Sequence, residues 1–175
     1  MENKTERICN GLDAFVKSLG RIFMWSNGLL LMVIIVQVVL RYVFKSGFIA
    51  LEELQWHLYA LGIMTGISCA MERDVHIRVD VISSRLSGRT RQMFELAGIL
   101  FLLLPFLVII FHQSLDFVHE AWRTGERSVS PMGLPFRWLV KSLIPFGFGL
   151  MILTTVSRMI RTANALIGGK HHGAQ

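Results

Sequence analysis

Four long apolar runs, each bounded by charged residues, constrain this chain more than any other feature. They cover roughly residues 23–43, 51–71, 93–112 and 138–160. Each is close to the ~20 residues that a helix needs to cross about 30 Å of hydrocarbon. Inside a bilayer no water can satisfy backbone N–H and C=O groups, so an isolated run of this length must be helical. The runs therefore predict an all-α integral membrane protein with four transmembrane helices.

Charge placement predicts how the spans are threaded. The 175 residues carry a formal net charge of +6, a value that also suits a nucleic-acid partner. Here the basic residues flank the apolar runs instead of gathering on a polar domain, so topology accounts for them and nucleic acid is not expected as a partner. Twelve of the 18 Lys and Arg residues fall in the N-terminal segment, the 72–91 stretch and the C-terminal segment. The remaining six are Arg41, Lys45, Arg123, Arg127, Arg137 and Lys141. The positive-inside rule then places both termini in the cytoplasm. Residues 1–21 hold seven charges before any long apolar run, so the first span is expected to act as its own insertion signal. Cys9 and Cys69 are too far apart for a CxxC site and fall on the cytoplasmic side, where a disulfide is not expected.

Two amphipathic stretches accompany the spans. In residues 1–22, Ile8, Leu12, Phe15, Leu19 and Ile22 recur at helical spacing. This predicts a separate cytoplasmic helix lying in the headgroup plane, although the same residues also suit an extension of the first span. Val75, Val79, Ile82 and Leu86 predict a second interfacial helix in the cytoplasmic loop. Alternation at Val75, Ile77, Val79 and Val81 would suit a strand, but a lone strand pair is unstable at a membrane surface. Pro105 is expected to kink the third span. Residues 123–137 are rich in Gly, Ser and Pro and read as a loop. Residues 161–175 read as a cytoplasmic tail.

Several residues are candidates for contact with partners. Gly62, Gly66 and Ala70 form a small-xxx-small face that admits a neighbouring helix backbone. Glu52 and Glu53 sit at the start of the second span, where a carboxylate favours the positive end of the helix dipole. They could equally form ion pairs with Arg41 or Lys45. Arg78 and Asp80 are either solvated loop charges or a clamp at the inner surface. Asn27 and Gln37 are expected to hydrogen-bond across helices. Trp25, Trp56, Trp122 and Trp138 suit interfacial belts.

Catalytic chemistry has no visible support. The chain lacks a recognisable hydrolase nucleophile and an outer cysteine pair. A haem between His57 and His112 is the main cofactor alternative, since both lie near the outer ends of spans. A self-assembling channel or exporter is another. Four spans without a visible repeat, and with few ionisable groups in the interior, do not make a complete transport site. No cofactor or metal is expected.

Three segments resemble one known family. Arg41-Tyr42-Val43-Phe44 with Glu52-Glu53-Leu54-Gln55-Trp56-His57 is similar to the first loop of the small permease subunit of tripartite ATP-independent periplasmic (TRAP) transporters, DctQ type. Asp74-Val75-His76-Ile77-Arg78-Val79-Asp80 is similar to that family's cytoplasmic loop, with Val75 where a Gly is typical. Ser130-Pro131-Met132-Gly133-Leu134-Pro135, with Trp138, Lys141, Pro145 and Gly147, resembles its entry to the fourth span. The resemblance covers about residues 20–160. It implies a non-enzymatic subunit that scaffolds a large DctM-like permease subunit within the lipid bilayer. It also implies sodium-driven uptake, typically of organic acid anions, and docking of a periplasmic substrate-binding protein. The loops at 45–51 and 119–137 would then be available for that docking.

Overall fold

The computed structural model describes residues 4–72, 88–130 and 133–168. All regular structure among them is helical. Helix α1 spans Lys4–Tyr42 and α2 spans Ile49–Glu72. Helix α3 spans Gly88–Gly98, passes through a π turn at Ile99–Leu103 and continues as α4, Leu104–Arg123. A short α5, Arg137–Lys141, precedes α6, Leu143–Gly168. Among the described residues three stretches are long and apolar enough to cross a membrane: Glu6–Tyr42, Gly88–Arg123 and Arg137–Asn164. Helix α2 is 24 residues long but falls short on hydropathy, because Glu52, Glu53, Gln55 and His57 dilute its first turns.

The N-terminal segment differs from expectation. It is not a separate interfacial helix: residues 4–42 form one uninterrupted helix of 39 residues, about 58 Å long at 1.5 Å per residue. No proline interrupts it, and its first half is anchored by α6. The Cys9 thiol donates to the Ser157 carbonyl at 3.8 Å, and Arg161 binds both Asn10, at 2.9 Å, and Asp13. The buried face is Cys9, Val16 and Gly20. Ile8, Phe15 and Ile22, from the stripe that the sequence marks as apolar, point outward. The expected helix over 72–91 falls largely on residues outside the described ones.

Helices α1 and α2 pack antiparallel in one register. Gly62 lies against Asn27, and Gly20 lies against Cys69. Seven residues down α1 thus match seven up α2, the repeat of a coiled-coil seam. The same register brings Gln37 to Glu52, whose carboxylate accepts from Gln37 Nε2 at 3.2 Å. Helix α6 is the hub of the bundle and meets α1, α2, α3, α4 and α5. Its approach to α2 is close: Ser68 Oγ donates to the Gly147 carbonyl at 3.3 Å.

Proline explains both irregularities. Pro105 has no N–H to donate one turn back, and its ring crowds the preceding turn. The chain accommodates it with the π turn, closed by Leu104 N–H donating to the Ile99 carbonyl. Pro145 likewise cannot donate to the Lys141 carbonyl, and the fourth apolar run is interrupted by a turn at Ser142. Near the other end of α6, Arg158 donates to Glu95 through Nε at 2.9 Å and through a terminal nitrogen at 2.5 Å. Both side chains are about three-quarters buried. Glu95→Ala removes the acceptor of both bonds and is expected to cost about 1–3 kcal/mol, measured as thermal unfolding of the full chain in mild detergent.

Candidate functional site

The end of the bundle that carries the α1–α2 turn and residues 124–136 holds most of the candidate residues. Helix α4 ends in a Schellman motif. Gly125 has φ +59, Glu126 N–H donates to the Ala121 carbonyl at 3.0 Å, and Gly125 N–H donates to the Trp122 carbonyl at 3.1 Å. This reverses the chain so that the following loop folds back over α2. Glu53 then pins it. Its carboxylate accepts from the Ser128 hydroxyl and from Leu134 N–H, the latter at 2.5 Å. Gly133 is required there, because a Cβ would lie 2.4 Å from Ser128 and 2.6 Å from the Glu53 carboxylate.

A second set of contacts ties the loop to α5. Glu126 pairs with Lys141 and, at 3.7 Å, with Arg137. The Lys141 ammonium also lies 3.9 Å from the centre of the Phe117 ring. Trp122 and Trp138 pack at 4.7 Å between ring centres. A cleft of about 710 Å³ lies beneath this cap, lined by Glu52, Glu53, Trp56, His57, Arg137 and Lys141 among others. Glu53→Gln removes the charge from two accepted hydrogen bonds. Faster tryptic cleavage at Arg127 is expected in the folded protein, with helix content unchanged.

The remaining candidates divide. Arg41, Glu52 and Trp56 surround a smaller cavity at the top of the α1–α2 pair. Neither Arg41 nor Lys45 forms an ion pair with Glu52 or Glu53 among the described residues; Gln37, Ser128 and the Leu134 amide take that place. Gly62 is used inside the α1–α2 seam, whereas Gly66 is exposed with nothing within 4 Å of a Cβ. Arg78, Asp80 and Pro131 lie outside the described residues. His57 lines the larger cleft, but His112 does not; it is exposed and faces Asp116 at 3.9 Å. Cys9 and Cys69 are both free thiols.

Sequence reading did not single out Glu126, Arg137 or Gln55 as site residues. Glu126 lies 15 residues from Lys141, a separation with no periodic signature, and the reversal at Gly125 together with the left-handed turn at Phe136 brings the two together.

Among its described residues the cap has hydrogen bonds and aromatic contacts but no convergent set of catalytic groups. No group of three or more His, Cys, Asp or Glu among the described residues could hold a metal. The family model of the tripartite ATP-independent periplasmic transporters, DctQ component, matches residues 30–165. The chain belongs to the DctQ family. It is therefore the small subunit of a TRAP transporter, and its family is one of transporter components. With three apolar helices long enough to span, this DctQ protein is a multi-pass protein of the inner membrane. No individual curated protein matches the chain.

Proposed function

We propose that this DctQ subunit is a rigid, non-transporting scaffold in a sodium-driven uptake system. It holds a DctM-like large subunit level in the bilayer and presents its cap to a periplasmic substrate-binding protein. Helix α2 acts as the fourth span, held among α1 and α6, with both termini cytoplasmic. The observation that carries the reading is the cap. Glu53 and Glu126 fasten one loop to α2 and to α5 at once, which produces a fixed surface instead of a mobile lid. Docking to such a surface loses little loop entropy.

Three further features support a scaffold. Few charges lie among the packed faces, where an ion path would need them. Ile8, Phe15 and Ile22 on α1 are exposed and leave an apolar stripe for a neighbour to cover. Gly66 offers a site of close helix approach on α2. Organic acid anions are the substrate class expected from the family, and their contacts belong to other chains.

Reconstitution into vesicles tests the reading. The chain alone should give no sodium-dependent uptake. Adding the large subunit and the binding protein should restore it. Uptake by this chain alone would overturn the scaffold role.

A further inference from the structure

The cavity between the ends of α1 and α2 is built from unusual groups. It measures about 410 Å³ and is lined by Ile34, Gln37, Val38, Arg41, Glu52 and Gln55, with Tyr42 and Trp56 at its rim. Gln37 is only 6% exposed, yet its Oε1 has no hydrogen-bond partner. Gln55 Nε2 is buried and also lacks one. A buried polar atom without a partner is destabilising, so a cavity holding one orphan acceptor and one orphan donor has a strong preference for being filled. Arg41 and Glu52 are both exposed and add one charge of each sign, without an ion pair to any described residue.

We propose that this cavity binds a zwitterionic phospholipid headgroup bearing a primary ammonium. The guanidinium of Arg41 takes the phosphate, which it can bind through two parallel N–H groups. Gln55 Nε2 donates to a phosphate or ester oxygen. The ammonium has three N–H donors, and the site supplies acceptors for it in Glu52 and Gln37 Oε1. The acyl chains follow α1, where Ile34 and Val38 line the cavity wall and remain partly open to the surroundings. Tyr42 and Trp56 are exposed at the same end, the position of an interfacial aromatic belt.

An anionic lipid lacking the ammonium would leave Glu52 and Gln37 Oε1 without donors. A choline headgroup has the charge but no N–H. The site therefore distinguishes three headgroups by chemistry alone. It needs only that this end of the bundle lies at headgroup level, and it does not depend on the scaffold role.

Native mass spectrometry of the full chain in mild detergent, titrated with single lipids, tests the proposal. One phosphatidylethanolamine per chain should saturate first. Phosphatidylcholine and phosphatidylglycerol should need about tenfold more lipid, the loss of one charged hydrogen bond. Glu52→Gln and Arg41→Gln should each weaken the phosphatidylethanolamine adduct by about tenfold, while Arg123→Gln, at the same end but outside the cavity, should not. Equal binding of all three lipids by the wild type would overturn the proposal, as would adducts unchanged in Glu52→Gln and Arg41→Gln. No retained lipid at all would leave the two amides to water and overturn it as well. A photoreactive residue at position 42 that cross-links in native membranes to polypeptide instead of phospholipid would assign the cavity to a partner helix. Recovery of the large subunit with Glu52→Gln is scored separately, so failure of the lipid site and failure of the assembly are distinguishable.

Discussion

Gly147→Leu should abolish the stable bundle, and even Gly147→Ala should weaken it. An ideal Cβ at this position lies 2.8 Å from Met64 Cβ and 3.0 Å from Met64 Sδ. The first of these atoms is fixed to the α2 backbone, so rotation of Met64 cannot relieve the contact. Helices α2 and α6 must move apart, and the bond from Ser68 Oγ to the Gly147 carbonyl is lost with that movement. Overpacking of this kind costs about 1–3 kcal/mol for one added group, and leucine adds three more carbons. Helix α6 meets all five other helices, so the loss spreads through the bundle. Thermal unfolding in detergent and the size-exclusion profile of the variant measure it. A variant with wild-type stability would show that α2 and α6 do not approach as closely as described.

The second large effect separates two glycines that look alike in sequence. Gly62→Leu should break the α1–α2 seam, because a Cβ there meets Asn27 Oδ1 at 2.6 Å and Cγ at 3.3 Å. Asn27 can turn away only partly, since its own Cγ is within the clash. The expected cost is about 1–3 kcal/mol to the isolated chain. Gly66→Leu should leave the isolated chain unchanged, because nothing lies within 4 Å of its Cβ. Its effect should appear only in complex, as reduced recovery of the large subunit, if a partner helix uses this face. The double variant should show both losses. If Gly66→Leu destabilises the isolated chain as much as Gly62→Leu, the seam has been assigned to the wrong face.

This contrast shows what the sequence can and cannot specify. The spacing of Gly62, Gly66 and Ala70 announces close helix contact, but not which partner meets which glycine. That depends on the register between α1 and α2, which is set jointly by Gly20, Asn27 and Gln37 on the opposite helix. The apolar runs made the helical character legible, because length and hydropathy act locally. The N-terminal apolar stripe leaves two readings open, an interfacial helix or an extension of the first span, for a related reason. The inward strip of this helix is Cys9, Val16 and Gly20, narrower and less hydrophobic than the stripe, with Cys9 meeting α6 and Val16 and Gly20 meeting Cys69 of α2. Small residues allow close packing, and a hydropathy pattern gives them little weight. The stripe of Ile8, Phe15 and Ile22 is left for lipid or for another chain.

Within the site, Glu53 stands out in the sequence as a charge at the start of an apolar run, and Lys141 through the resemblance at the entry to the fourth span. Their partners did not. Ser128, the Leu134 amide and Glu126 reach them through a loop whose course depends on two left-handed residues, Gly125 at its start and Phe136 at its end. Turn composition predicted that loop but not where it would land. Gln55 was hidden among polar neighbours, and its significance arises only from a cavity that no single helix encloses.

Affinity purification of the tagged chain from its native membrane in mild detergent, with mass spectrometry of whatever accompanies it, tests the scaffold role most directly. A larger polytopic membrane protein recovered in stoichiometric amount, with no transport by the small chain alone, is the predicted result. A chain recovered alone, or one that carries a haem absorption band, would contradict the account.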